Sequence, residues 1–394
     1  LRSLSSSAPV GKDAENGDAA LAQYVGRFRL KALVAACFIL AIAAAPACAQ
    51  VKIGVVGPLT GPNAAFGAQL QTGAEQAVTD INAHGGVLGK MVQATVLDDA
   101  CDPKQAVTDA NQLVNDGVVF VDGHYCSAST IPASKVYTDN AILEISPSST
   151  TPKYTDAGSA YTFRTCGRDD EQAKIAAAYI AAHDGSKKVA VLDDNSTYGK
   201  GIADQIRLDL KKAGDPVAYS ASYTAGDKDF SALISRLKQA DIGLVYVGGY
   251  YADYGLLMRE GAAQGFTPVW VSESATATKA TWQIAGPAAE GSLFTFPPPP
   301  AQNPDAAAAV AELKAKGEDP GSYLLYSYAA VQVWAEAANK AHSIKPIRVA
   351  RELKSAGPWP SVLGPISFDK KGDPVKINYQ VYQWHDGAYA VIGS

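Results

Sequence analysis

Short apolar runs alternate along this chain with stretches whose apolar residues recur every three or four positions. Runs over 51–57, 91–98, 118–121 and 142–145 are the length of buried strands. The segments between them, 67–82, 103–115 and 128–140, carry one apolar face each, the pattern of helices packed on a sheet. A short strand over 161–165 leads into a second series: helix 171–182, strand 188–193, helix 199–212, strand 217–223, helix 230–239, strand 242–247, helix 254–264 and strand 269–271. Strand–helix alternation run twice predicts two lobes, each a parallel sheet with helices on both faces.

The polar punctuation at the strand ends changes the picture. Asp98-Asp99-Ala100-Cys101-Asp102-Pro103 and Gly123-His124-Tyr125-Cys126-Ser127 each follow a strand and precede a helix. Two consecutive βα units therefore bring Cys101 and Cys126 to one end of the sheet, the end where open α/β sheets hold ligands. The hydroxyl of Ser127 at a helix start, beside amides without intrahelical partners, suits an anion. From the residues alone, Ser127 serves equally well as a plain N-cap. Beyond the second series, Phe296-Pro297-Pro298-Pro299-Pro300 reads as a crossing segment. Helices over 304–316, 322–341 and 346–355 follow, then a β-rich tail over 366–368, 377–384 and 388–392 with a turn at His385-Asp386-Gly387.

Composition adds compartment and exclusions. At 394 residues the chain suits two lobes, and its net charge of −5 lacks the basic face that nucleic acid requires. Residues 27–49 read as an export signal: Arg27, Arg29 and Lys31, then an apolar core from Ala32 to Ala45, then Ala47-Cys48-Ala49 with cleavage before Gln50. Cys48 as a lipidation site is the rival reading, and residues 1–26 read either as a disordered extension or as the result of a translation start placed too far upstream. An exported chain meets oxidants, so a pair among Cys101, Cys126 and Cys166 should bridge. Cys101–Cys126 is favoured, because both follow adjacent strands, leaving Cys166 as a buried small hydrophobe or a free thiol. The five histidines are scattered, with no metal-ligand spacing. No phosphate loop, dinucleotide fingerprint or nucleophile elbow occurs, so neither cofactor nor catalysis is expected.

Several motifs in order carry a resemblance. They are Val55-Val56-Gly57-Pro58-Leu59-Thr60-Gly61-Pro62, Gly73-Ala74-Glu75-Gln76-Ala77-Val78, the Asp98–Gln105 and Gly123–Ser127 stretches, Tyr198-Gly199, Gly226-Asp227-Lys228-Asp229-Phe230, Gly248-Gly249-Tyr250 and Gln383-Trp384-His385. Together they resemble the periplasmic leucine/isoleucine/valine-binding proteins, substrate-binding components of branched-chain amino-acid ABC importers. The resemblance implies a type I periplasmic binding protein fold: two Rossmann-like α/β lobes joined by three crossovers, with the ligand in the cleft between them. The crossovers fall near Arg168, Phe296–Pro300 and Asn378. Lobe 1 then comprises 50–168 with 298–377, and lobe 2 comprises 169–297 with 378–394.

The same resemblance assigns roles. Ser127 would hold the ligand α-carboxylate. Thr150 would meet both carboxylate and ammonium, and the carbonyl of Ser148 the ammonium. Glu273 would pair with the ammonium when the lobes close, since a buried ammonium without a partner is too costly. Tyr198 and Tyr250 would cap the ligand. Phe66 and Tyr125 fall where the family varies the side-chain pocket, and Tyr125 replaces a smaller aliphatic residue, which would shrink the pocket toward valine or stack on an aromatic ligand. Tyr326 and Tyr328 are further candidates for the cleft. The implied protein is a monomeric, periplasmic, non-enzymatic receptor for Leu, Ile or Val that docks on an inner-membrane permease. Two other readings remain: a sensory protein of the same fold, for another amino acid or an amide, that reports to a regulator, and an exported hydrolase, for which no nucleophile–base pair is present.

Overall fold

A computed structural model of the chain describes residues 6–7 and 50–393. The export signal, Cys48 and the cleavage position expected within 27–49 lie outside the described residues.

The first apolar runs form a five-stranded parallel sheet from β1 (Val51–Gly57), β2 (Val92–Asp98), β3 (Phe120–Gly123), β4 (Leu143–Ser146) and β5 (Thr162–Arg164). Their order is β2-β1-β3-β4-β5. The chain leaves β1 to one side for β2 and returns to the other side for β3, so a crevice opens at the carboxyl ends of β1 and β3. Helices Ala64–Ala83, Pro103–Asp116 and Ser127–Asp139 connect these strands. The second helix starts at Asp102, whose carboxylate accepts from the Lys104 and Gln105 amides, and ends on left-handed Gly117. The strand expected over 118–121 begins two residues later, because β3 pairs with β1 in the register Ile53↔Phe120.

The second series forms β6 (Val189–Asp193), β7 (Tyr219–Ser222), β8 (Leu244–Gly248) and β9 (Val269–Ser272). Three further strands, β10 (Leu293–Phe296), β11 (Gln380–His385) and β12 (Ala388–Gly393), complete a sheet of order β12-β11-β10-β9-β8-β6-β7. The β10–β11 and β11–β12 pairs are antiparallel, so this sheet is parallel only through β10. Its β6/β8 junction is a second switch point. Two differences from the sequence expectation stand out here. Phe296, expected to open the crossing segment, is the last residue of buried β10, opposite Gln380; the strand stops where Pro297 removes the next donor. The segment 366–368 is not a strand but makes isolated bridges, Trp359↔Ile366 and Phe368↔Pro374.

After the proline run, the helices Ala307–Ala315, Leu324–Lys340 and Pro346–Ser355 return to the first sheet, where Val310, Leu313, Leu325, Trp334 and Val349 share a core with Val51, Ile53 and Phe120. Trp334 stacks on Phe120 with centroids 4.8 Å apart. Helices Ala64–Ala83 and Leu324–Lys340 touch at Gly73, where a Cβ would lie 2.1 Å from the Leu324 carbonyl oxygen. Faces of alanine, valine and leucine, with Trp334 among them, thus hold a segment distant in sequence from β1, the kind of contact no local pattern announces.

Cys101 and Cys126 form a disulfide with Cα atoms 5.5 Å apart, joining the loop after β2 to the N-cap of helix Ser127–Asp139. Cys166 is a free thiol, buried, with its ionisation pushed up to about 12 by burial. Closing a loop of 25 positions is worth about 3.5 kcal/mol. The double variant Cys101→Ser/Cys126→Ser should therefore unfold at lower urea, by about that free energy, and reductant should shift the wild type but not the variant. Equal midpoints for the two proteins would contradict the staple.

Candidate functional site

Every residue expected at the ligand follows the carboxyl end of a strand. Phe66 follows β1; Tyr125 and Ser127 follow β3; Ser148 and Thr150 follow β4. From the second sheet, Tyr198 follows β6, Tyr250 follows β8 and Glu273 follows β9. The two sets meet. Tyr125 lies 6.0 Å from Tyr250, ring to ring, and Phe66 meets Tyr251 edge-on at 5.6 Å.

The first-sheet side is built on the start of helix Ser127–Asp139. Cys126 occupies the N-cap, and its side chain caps no amide. The Ser129 and Thr130 amides donate to the Cys126 carbonyl at 2.9 Å, which leaves the Ser127 and Ala128 N–H groups and the Ser127 hydroxyl for another acceptor, at the positive end of the helix. Ser127 is buried, and its hydroxyl sits 3.4 Å from that of Ser149. That contact joins the helix start to the loop 148–151, where the Ser148 hydroxyl is buried without a partner. Arg164, wholly buried, holds this loop from behind: its guanidinium donates to the Ser149 carbonyl at 2.6 Å and the Thr151 carbonyl at 2.9 Å, and pairs with Asp373 at 2.7 Å.

A second tether runs beside the disulfide. The His124 Nδ1 lies 2.7 Å from an Asp99 carboxylate oxygen, and its Nε2 lies 3.1 Å from the Tyr137 hydroxyl, all three residues being buried. The His124 carbonyl accepts from Ser146 Oγ at 2.8 Å. Loops after β2, β3 and β4 are thus locked to one another. Gly123 permits this: its φ of +144° and the Val56 oxygen 2.4 Å from any Cβ exclude a side chain.

The second-sheet side carries the charge. Glu273 is fully buried, which excludes an exposed loop acid. One carboxyl oxygen accepts the Gly249 N–H at 3.0 Å; the other makes no well-formed hydrogen bond, although the buried Tyr246 hydroxyl lies near enough to act on the carboxyl. Burial raises its pKa well above the ordinary range, and the nearby Asp169 and Asp194 carboxyls add to the shift. Burial likewise raises Asp194 to about 6. Tyr198 is buried with an unpartnered hydroxyl, its ring 5.2 Å from that of Tyr250.

The apolar part is an aromatic box. Tyr125 stacks on Phe66 at 4.7 Å and 16°, and Tyr323 meets both rings edge-on, at 5.9 Å and 5.6 Å. Tyr323 was not among the sequence candidates. Tyr326, which was, backs the box through Tyr323 and Phe296. Tyr328 does not reach it: its hydroxyl donates to Asp80 at 2.7 Å, on helix Ala64–Ala83. The i, i+3 spacing of Tyr323 and Tyr326 was the available signal, since those two share a helical face and Tyr328 does not. A groove of about 540 Å³ behind the crossovers is lined by Pro297–Pro300, Tyr326 and 374–378, and by none of the eight candidate residues. Among the described residues, no cluster of His, Cys, Asp and Glu is arranged to hold a metal.

Two parallel-sheet lobes whose polar strand ends face each other define a clamshell solute-binding architecture. The chain belongs to the periplasmic binding protein family, whose model matches residues 50–388. It is 46% identical over 340 residues to Leu/Ile/Val-binding protein homolog 1 of Brucella suis, covering 86% of this chain and 92% of that one. It is 40% identical over 365 residues to the leucine-specific-binding protein of Salmonella typhimurium, covering 92% and 99%. Among solved structures, a leucine-binding protein of Thermotoga maritima matches with TM-score 0.81 and 27% identity, over 87% of this chain and 98% of that one. A branched-chain amino-acid transporter substrate-binding protein of Streptococcus pneumoniae, in complex with isoleucine, matches with TM-score 0.79 and 28% identity, over 88% and 100%.

The Glu273 environment has a thermodynamic consequence. An acid whose folded pKa is raised gives full stability below its ordinary value, near 4.5, and loses it as pH rises through the folded value. Glu273→Gln keeps an acceptor for the Gly249 amide and removes the charge. The variant should melt higher than wild type at pH 8 without ligand and close to it at pH 4. A lower melting temperature at pH 8 would contradict the assignment of a strained, buried acid.

Proposed function

We propose that this protein is the extracytoplasmic receptor of an ABC importer, taking up a free amino acid of the Leu/Ile/Val class in the periplasm and delivering it to an inner-membrane permease. The observation that carries this reading is an opposition of charge preference across the cleft. The helix start at Ser127 offers amides and a hydroxyl to an anion, and Glu273 offers a buried carboxyl to a cation. A zwitterion satisfies both, and either half alone leaves a desolvated polar group unpaired. The names and bound ligands of the relatives support the same class.

In this reading the lobes divide at 168/169, 297/298 and 377/378. Ser127, Ser148 and Thr150 fix the amino-acid backbone on lobe 1. Lobe 2 brings Glu273, Tyr198 and Tyr250. Only the closed form has both sets of contacts, so the ligand shifts the population toward closure. The closed clamshell is what the permease would recognise, and the protein binds rather than transforms its ligand. Export through the segment 27–49 places it where an importer needs it.

The aromatic box sets the size of the side chain. Tyr125 already lies flat on Phe66, with Tyr323 and Tyr250 against its other sides, so the ligand end is short. Within the Leu/Ile/Val class this favours valine. Calorimetric titration of the purified protein with all common amino acids is the test. Saturable binding should be confined to small aliphatic members, and binding of a different solute with none of these would sink the reading. Tyr125→Leu should move the leucine-to-valine affinity ratio about tenfold toward leucine, the range one methylene commands in an apolar pocket. An unchanged ratio would remove Tyr125 from the specificity account.

A further inference from the structure

Asp122 stands where a charge has no answer. It lies in β3, wholly buried, between Val55 and Ile145 of the flanking strands. Both neighbours belong to the apolar core that helices Ala64–Ala83 and Leu324–Lys340 cover. Among the described residues no cation pairs with this acid, and one side chain meets it, the Ser327 hydroxyl.

The protons at this contact can be counted. Ser327 has a single hydroxyl proton, and its oxygen lies 2.7 Å from the Leu70 carbonyl oxygen and 2.5 Å from Asp122 Oδ2. Leu70 can only accept. An ionised Asp122 could also only accept, which would leave one of the two contacts as a pair of oxygens with no proton between them. A neutral Asp122 resolves the count: Ser327 donates to Leu70, and Asp122 donates to Ser327. The other carboxyl oxygen, Oδ1, has no partner. That is tolerable for the carbonyl of a neutral acid and very costly for half of a carboxylate. Burial acts in the same direction, raising this acid well above its ordinary range, with Ser327 opposing. The titratable groups around it are turned elsewhere. Asp80 takes the Tyr328 hydroxyl, Glu75 takes the Gln71 amide, and Tyr326 packs on Tyr323 and Phe296. Glu144 on β4 is in register with Val121 and so lies on the other face of the sheet.

The contact sits at the root of the aromatic box. Leu70 is one helical turn from Phe66. The Ser327 amide donates to the Tyr323 carbonyl at 3.1 Å. Tyr125 follows Asp122 by three positions at the exit of β3. We infer that Asp122 is kept as a neutral carboxylic acid and is a positioning residue for the box, holding the Phe66 helix and the Tyr323 helix to the strand that leads into Tyr125. For its effect on ligand choice this rests on the amino-acid reading above; for the protonation state it does not. Asp122 acts through Ser327 and touches no ligand. It sets the approach of Phe66 and Tyr323, edge-on at 5.6 Å, and with it the room left for a ligand side chain.

Three variants test this. Asp122→Asn mimics the neutral acid, since its amide can donate to Ser327 without charge. Asp122→Val removes the donor and keeps a strand former. Ser327→Ala cuts the same link from its other end. The infrared difference between wild type and Asp122→Asn at neutral pH should contain the carbonyl stretch of a protonated carboxylic acid; carboxylate bands in its place would overturn the inference. Calorimetric affinities for valine and leucine read the positioning. Asp122→Val and Ser327→Ala should each move the leucine-to-valine ratio about fivefold toward leucine, less than one methylene commands, and Asp122→Asn should hold it within about twofold of wild type. A wild-type ratio in both Asp122→Val and Ser327→Ala, or an equal shift in Asp122→Asn, would overturn the positioning role. A wild-type protein that bound neither amino acid would bring down the functional reading with the infrared band still standing, whereas carboxylate bands alongside intact valine binding would bring down this inference alone.

Discussion

A carboxyl group out of water must find partners or give up its charge, and Glu273 stands under that constraint more severely than any other group at the cleft. It is fully buried, it has one hydrogen bond for two oxygens, and two more acids stand near it. The ligand-free protein therefore holds a group that is unfavourable as a carboxylate and incomplete as a neutral acid. Stability is given up at the place where an ammonium would restore it. The rest of the architecture can be understood as keeping that group in place and presenting an anion-friendly surface opposite to it.

That surface depends on rigid loops. A helix start offers a useful field only if its first turn stays put. Here the Cys101–Cys126 bridge, the Asp99–His124–Tyr137 chain and the Ser146 bond to the His124 carbonyl fix three successive strand ends together. Arg164 then locks the 148–151 loop from behind, and its partner Asp373 lies in the segment that returns from the far side of the proline run. Arg168 extends the same network across the first crossing, pairing with Asp373, Asp156 and Asp170. Charged groups thus hold the loops of the first sheet and the first crossing as a unit, and the second sheet meets them with aromatic rings and Glu273.

Much of this was legible in the residues because it is local. The strand Val51–Gly57 and the helix Pro346–Ser355 fall on the expected boundaries, the strand stopping at Pro58 and the helix opening on Pro346. The loops after strands carried hydroxyls, an acid and tyrosines in the expected order, and the fold sets Phe66, Tyr125, Tyr250 and Tyr198 ring against ring. What stayed hidden is what depends on distant partners. Strand β10 is four residues long, runs into prolines, and is completed by Gln380–His385, almost ninety positions on. Tyr323 joins the box only because its helix returns to the first sheet. The Asp99–His124 pair, 25 residues apart, required knowing which faces of two loops meet.

The central claim is that buried acids at this cleft await a cation, and proton bookkeeping on binding reads that directly. Burial raises Glu273 well above its ordinary range, so without ligand its carboxyl holds a proton more readily than a free one. An ammonium beside it favours the carboxylate and releases that proton. Titration of the wild-type protein with valine at pH 6, in two buffers of different ionisation enthalpy, should show net proton release on binding that shrinks as pH rises. Binding with no proton exchange, or with uptake, would contradict the account.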